Sequence, residues 1–243
     1  MKTLYEPAVG YSSLEMVDVE KLRRLVSVNR RLLDEYYSPD PGDYVLVAGA
    51  GRGDEAEAIC QEYRLTTFGV DINIQGVAGD HRHIPLSFNR MDLENLAFAG
   101  GSFALVYCYH VLEHVSDYKR VLYELKRVMI SGGVLFVGFP NKHRLFSYFG
   151  TTQSASIGEK IVWNLRDYRD RLRGRFENHL GAHAGFIEQE FLRDASAIYK
   201  EVHAVRNKYM QLKYARLSGM LQVVIKLGMG EFVFPSNYFI CIR

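Results

Sequence analysis

The sequence has 243 residues, 48% of them hydrophobic, and a formal net charge of +2 at pH 7. We expect one core with additions at its ends, because this length is long for one ordinary domain and short for two. So small a net charge gives no support to a general nucleic-acid or membrane footprint. The cysteines Cys60, Cys108 and Cys241 lie far apart, which favours reduced thiols over a disulfide framework or a metal site.

The N-terminus shows no leader pattern, and no apolar run reaches about 18 residues. The sequence therefore predicts a cytoplasmic protein without an integral membrane segment. An apolar stripe at roughly helical spacing over 14–37 predicts a helix within an N-terminal extension, 1–43, ahead of a main domain, 44–243.

Strand-like and helical segments then alternate along the chain. We predict strands at 44–48, 66–70, 86–91, 103–109, 134–139, 201–205 and 239–242 and helices at 54–63, 118–129, 188–195 and 212–227, with a loop over most of 72–85. Ser116-Asp117 is expected to cap the helix at 118–129, and Gly132-Gly133 to end it. Such alternation implies a mainly parallel sheet, with ligands beyond the carboxyl ends of its strands.

The first predicted strand runs into a glycine-rich loop, Gly49-Ala50-Gly51-Arg52-Gly53-Asp54, which opens a helix. A dinucleotide fingerprint would place another glycine at position 54, beside a pyrophosphate. A carboxylate there repels phosphate, so the loop better suits a nucleoside without phosphates, such as S-adenosyl-L-methionine. The same residue argues against a nicotinamide-dependent oxidoreductase.

Further candidate residues follow the next strands in order. Asp71 ends the second strand, where a carboxylate can accept both ribose hydroxyls. Asp92 follows the third strand and is a candidate acceptor for an adenine amino group. After the fourth strand comes His110-Val111-Leu112-Glu113-His114-Val115, and after the fifth comes Pro140-Asn141.

With these motifs in this order, residues 40–141 resemble class I S-adenosylmethionine-dependent methyltransferases, especially the small-molecule (type 11) group with a V-L-E-H-V signature. That group includes ubiquinone-pathway and sugar methyltransferases. The resemblance implies an α/β fold, a Rossmann-like three-layer sandwich whose seven-stranded, mostly parallel sheet has an antiparallel last strand. It also implies a cofactor site formed by Gly49, Ala50, Gly51, Gly53, Asp71, Ile72, Asp92, Leu93, Tyr109 and His110.

One position departs from the family pattern. Val47 stands where the family usually has an acid that helps to fix the methionine amino group. Asp54 is a candidate for part of the missing charge. A catalytically impaired binding protein of the same fold is therefore an alternative to the enzyme.

The favoured acceptor is a hydroxyl oxygen of a sugar, glycan or related metabolite, and a quinone or lipid acceptor is the alternative. A hydroxyl acceptor needs a base, and neutral histidine suits that role. His114 and His143 are the leading candidates, ahead of His179 and His183, whereas Glu113 is expected to be structural. Methylation of nucleic-acid bases is not indicated, because the chain has neither an Asn/Asp-Pro-Pro-aromatic segment nor a Pro-Cys pair.

Two segments of the main domain have open interpretations. Residues 142–185 are predicted to form an inserted cap rich in arginine, either a solvated helix face over packed aromatic residues or arginine forks that recognise an anionic acceptor. Residues 212–227 are predicted to be a core helix or a homodimer contact, with peripheral membrane contact as the alternative.

Overall fold

A computed structural model of the chain describes residues 18–74, 77, 83–147, 156–178 and 184–243. Some residues of the sequence analysis lie outside these ranges: residues 14–17, the rest of the 72–85 loop, His179 and His183. The strands are β1 (Tyr44–Ala48), β2 (Thr66–Asp71), β3 (Leu86–Arg90), β4 (Phe103–Tyr109), β5 (Met129–Pro140), β6 (Glu201–Ala204) and β7 (Ser236–Ile242). The α-helices are α1 (Val19–Leu33), α2 (Asp54–Tyr63), α3 (Tyr118–Val128), α4 (Ile157–Leu172), α5 (Glu188–Ser196), α6 (Arg206–Lys213), α7 (Ser218–Lys226) and α8 (Gly230–Val233).

The strands form one sheet in the order β3-β2-β1-β4-β5-β7-β6. Strand β7 runs antiparallel to both of its neighbours, and the other adjacent pairs are parallel. The predicted mostly parallel seven-stranded sheet with an antiparallel last strand is thus confirmed. The strand order reverses between β1 and β4, so the ligand crevice of such a sheet lies at the carboxyl ends of these two strands.

Helices cover both faces of the sheet. Alternate residues of the central strands, such as Val47 and Tyr107, pack with α1, α2 and α6 on one face. The intervening residues, such as Leu46 and Val106, pack with α3 and α5 on the other. Helix α1 contributes Leu25, Val26, Leu32 and other buried side chains to the first of these clusters.

The start of α3 follows its predicted capping signal, but its predicted end is wrong. Asp117 caps α3 as expected, accepting hydrogen bonds from the backbone nitrogens of Lys119 and Arg120. The helix nevertheless ends at Val128, and Gly132-Gly133 lies inside β5. There the pairing with β4 shifts register and Gly132 has a φ of 75°, so the glycines mark an irregularity of the strand.

The segment 212–227 is also not the single core helix that its apolar pattern predicts. Helices α6 and α7 are separated by a short turn of 3-10 helix at Ala215–Leu217. In α7 Leu221 is buried, whereas Met220 and Val223 are exposed. Within the described ranges, no helix is long and apolar enough to cross a membrane.

Candidate active site

The glycine loop leaves the carboxyl end of β1 and is tied to β2. The backbone nitrogens of Gly49 and Ala50 donate to the Val70 carbonyl at 2.8 and 2.9 Å. Gly49, Gly51 and Gly53 all have positive φ, at 76°, 52° and 90°. Only glycine adopts such angles at little cost, so the backbone path itself requires this motif.

The glycines differ in what surrounds them. A Cβ atom at Gly49 would overlap the Val111 side chain, and one at Gly53 would come within 2.7 Å of the Phe88 ring. A Cβ atom at Gly51 would meet nothing within 4 Å. The first and last glycines therefore allow close packing, whereas Gly51 borders open space that a nucleoside could fill.

Asp71 lies directly beside this loop. Its Oδ2 accepts a hydrogen bond from the Gly51 backbone nitrogen at 2.8 Å, and its Oδ1 accepts one from Asn73 at 2.9 Å. The next residue, Ile72, is 44% exposed. The carboxylate thus borders the open space above Gly51, where it can reach ribose hydroxyls.

Asp92 lies farther along the same edge of the sheet. It is exposed and accepts a hydrogen bond from the Glu94 backbone nitrogen at 2.9 Å, while Leu93 is buried. Since β3 lies two strands from β1, these residues are placed at the far end of the crevice. Their predicted role near adenine stays a prediction.

At the carboxyl end of β4, His110 has a φ of 54°, which is uncommon for a residue with a side chain. Its backbone nitrogen donates to Gly138 at 2.8 Å. Its Nδ1 lies 3.2 Å from Glu113 Oε1 and its Nε2 lies 3.4 Å from Ser236 Oγ. Strained backbone of this kind concentrates at functional sites. The adjoining Tyr109 packs edge-on against the His110 ring, with 4.4 Å between centroids.

The signature segment connects these groups to the loop. Val111 packs on Gly49, and the Glu113 side chain is fully buried. His114 Nε2 lies 4.0 Å from the same Glu113 oxygen that faces His110. Glu113 therefore lies between two histidines.

His143 follows β5 and pairs with Glu231, a residue that no sequence motif singled out. Its Nδ1 hydrogen-bonds to the Glu231 carboxylate from α8. Between β5 and His143, the buried Asn141 donates to the carbonyls of Glu231 and Phe234. The pair joins positions 88 residues apart, which no local pattern can reveal.

An apolar cleft of about 190 Å³ is formed by residues from the segment after β5, from α6 and α7, and from the end of α8. It is lined by Phe146, Ser147, Met210, Tyr214, Leu217, Leu221, Val233, Phe234 and Pro235. Arg144, which the cap interpretation counted among possible anion-binding arginines, is buried and donates to Ala184 and Asp167, at 2.9 Å each. Its charge is thus balanced within the protein.

Like Glu231, Glu55 was not selected from the sequence, because it resembles an ordinary acidic residue in the first turn of a helix. Glu55 follows the glycine loop in α2, and its Oε1 is buried without a hydrogen-bond partner among the described residues. Burial raises the pKa of Glu55 to about 7. Asp54 is instead paired with Arg52, 3.5 Å from Asp54 Oδ2 to Arg52 Nε.

Comparison with known proteins identifies this arrangement. Residues 46–137 match the family model described as "Methyltransferase domain". The central part of the chain is thus similar to a methyltransferase domain. S-adenosylmethionine is the cofactor of such a domain, and the open space above Gly51 with Asp71 beside it fits this nucleoside.

Individual relatives of the methyltransferase domain are distant. A ubiquinone biosynthesis O-methyltransferase from Coxiella burnetii is 28% identical over 129 residues, which cover 51% of this chain and 53% of that protein. The chain thus spans about half the length of the relatives that it matches. A SAM-dependent methyltransferase from Archaeoglobus fulgidus has a TM-score of 0.57 at 16% identity, covering 91% of this chain and 94% of its own. A geranyl diphosphate methyltransferase bound to SAM gives a TM-score of 0.52 at 18% identity, with coverages of 94% and 95%. These two structures share the fold.

Proposed function

We propose that the chain transfers a methyl group from S-adenosylmethionine to a hydroxyl oxygen of an acceptor with an apolar body, such as an aromatic ring with an alkyl or prenyl tail. The observation that carries this proposal is the apolar cleft, whose lining residues 146–147 and 233–235 follow His143 and Glu231 closely in the chain. Its lining offers few hydrogen-bond partners to a sugar. The name of the Coxiella burnetii relative, which refers to ubiquinone and to oxygen, supports the same class.

Bound S-adenosylmethionine supplies an activated methyl group, so the protein mainly has to align donor and acceptor. The glycine loop and Asp71 orient the nucleoside. The Glu231 carboxylate holds His143 at Nδ1, which makes Nε2 the nitrogen that takes the proton from the acceptor hydroxyl. The bound cofactor would supply the methyl carbon: its bond to sulfur would break, with the electron pair left on sulfur, as the acceptor oxygen that gives its proton to His143 bonds to that carbon.

The test uses labelled S-adenosylmethionine with a matched pair of catechols, with and without a long alkyl chain, and a hexose as the competing acceptor. We expect kcat/KM to be highest for the alkylated catechol. His143→Asn should lower kcat about 100-fold, the scale of lost general-base catalysis, without weakening S-adenosylhomocysteine binding. His203→Asn is the matched control, because His203 is equally exposed and also faces a glutamate, Glu201, at 3.4 Å. A preference for the hexose, or equal losses in both variants, contradicts the proposal.

Exposed apolar side chains suggest how such an acceptor arrives. Helices α4 and α7 expose Ile161, Leu165, Met220, Val223 and other apolar residues. Residues 206–230 contain five lysines and arginines and no acidic residue. Arg206 and Lys208 pair with Glu188 and Glu35, whereas Arg216 and Lys226 accompany the exposed apolar residues of α7. Apolar helix surfaces with basic residues bind anionic lipid. We expect the protein to sediment with vesicles that contain anionic lipid and not with neutral ones; equal partitioning would contradict this contact.

The second candidate function is that of a binding protein that has lost catalytic turnover. Val47, in place of the usual acid, favours this alternative. It predicts saturable binding of S-adenosylmethionine without methylation of the catechols or the hexose. Methylation of any of them excludes it.

A further inference from the structure

Beside the glycine loop lies a carboxyl group with no assigned role, that of Glu55, and position 47 lacks the acid that similar methyltransferases usually have. We propose that Glu55 binds the ammonium group of the methionine part of S-adenosylmethionine, in place of the acid absent at position 47. This inference rests on the cofactor half of the proposed function and is independent of the acceptor.

The position of Glu55 in the chain places it at the cofactor loop. Gly53 is the N-cap of α2, and Glu55 is the second residue of that helix. Its Oε1 is shielded from water and accepts no hydrogen bond from any residue that the structure describes. An unpaired buried carboxyl oxygen destabilises a protein, so a site that retains one is suited to a ligand that supplies the partner.

The carboxyl group also lies on the correct face of the sheet. Val47 is paired with Tyr107 across β1 and β4, and both side chains belong to the core beneath α1 and α2. The Glu55 carboxyl interacts electrostatically with Tyr107 and with Tyr109, two residues farther along the same face. An ammonium group near position 47 would therefore face Glu55 from α2.

Glu55 and Glu113 are the carboxyl groups that act on Cys108 and Tyr109, and Glu113 faces the histidines His110 and His114 instead. The neighbours of Glu55 from β4 are Tyr107, Cys108 and Tyr109, and burial raises the pKa of each, so they stay neutral near pH 7. Asp54 and Arg52, on the loop side, balance each other. With its pKa raised to about 7, Glu55 is partly protonated before binding, and a cation at this position would displace the proton.

The test is calorimetric titration with S-adenosylhomocysteine, which has the ammonium group but no sulfonium charge. The second ligand is its deaminated analogue. We expect Glu55→Gln to weaken binding of S-adenosylhomocysteine at least tenfold at pH 8 and much less at pH 6. The deaminated analogue should bind both proteins equally. Glu62→Gln, which changes an exposed glutamate of the same helix, should leave both affinities unaltered.

A second measurement is the proton balance. Wild-type binding at pH 7 should release protons, seen as a dependence of the binding enthalpy on the ionisation enthalpy of the buffer, and Glu55→Gln should abolish that release. Equal affinity of wild type and Glu55→Gln for S-adenosylhomocysteine at pH 8 overturns the assignment. So does an equal loss for both ligands, which would indicate a structural effect. No binding to the wild type would refute the cofactor assignment itself, whereas failure to methylate an acceptor would leave this result intact.

Discussion

Removing the charge of Glu55 should make the ligand-free protein more stable at high pH. A carboxyl group ordinarily titrates at 4.5, and burial raises the pKa of Glu55 to about 7. Each pKa unit corresponds to about 1.4 kcal/mol, so ionising this group in the folded state costs up to about 3 kcal/mol. The pKa of Glu55 is higher in the folded state than in the unfolded state. The free energy of unfolding is therefore at its full value below pH 4.5, falls progressively up to about pH 7 and stays reduced above it.

The assay is urea denaturation of wild type and Glu55→Gln at pH 5 and pH 8, without ligand. Glutamine keeps the shape of the side chain and removes the charge. We expect the two proteins to differ by less than about 1 kcal/mol at pH 5, and the variant to be about 2–3 kcal/mol more stable at pH 8. Glu62→Gln should follow the wild type at both pH values. If the difference between wild type and Glu55→Gln does not change with pH, Glu55 is not desolvated, and the reasoning fails.

Two further predictions concern the cofactor loop. Asp71→Ala should weaken S-adenosylmethionine binding by at least about 1 kcal/mol in calorimetry, the scale of a lost hydrogen bond to a charged group, and an unchanged affinity would refute the ribose assignment. Gly49→Ala should lower thermal stability, because the new methyl group overlaps Val111 and the residue has a φ of 76°. The double variant Gly49→Ala/Val111→Ala should regain part of that loss; no recovery would show that the contact with Val111 is not the cause.

Features that depend on short, local sequence patterns could be predicted from the sequence. The bounds of β1, α2 and β4 agree with the apolar patterns, because strand alternation and helical spacing are local properties. The glycine loop was predicted for the same reason, since positive φ angles demand a residue type. Gly132 shows the limit of this reasoning: the same preference for positive φ serves a helix end or a strand irregularity, and local sequence does not distinguish them.

The parts that could not be predicted depend on distant pairs. Glu231 becomes relevant only because α8 brings it to His143, and Ser236 only because β7 brings it to His110. The apolar cleft likewise combines residues 146–147, 210–221 and 233–235, none of which forms a motif alone. Burial of Glu55 is the same kind of property, since an acidic residue in a first helical turn is ordinarily solvated.

The proposed ammonium site explains why Val47 and Glu55 both depart from ordinary expectation. In the centre of β1, an apolar side chain at position 47 packs against Tyr107 without an ionisation cost. The unfavourable ionisation falls instead on Glu55 in α2, where a cationic ligand can offset it. Glu55→Gln should therefore be more stable and bind S-adenosylhomocysteine less well, both at pH 8. A folding defect would lower the stability and the affinity of the variant together. A gain in stability combined with a loss of affinity therefore indicates that the Glu55 carboxylate acts on the ligand.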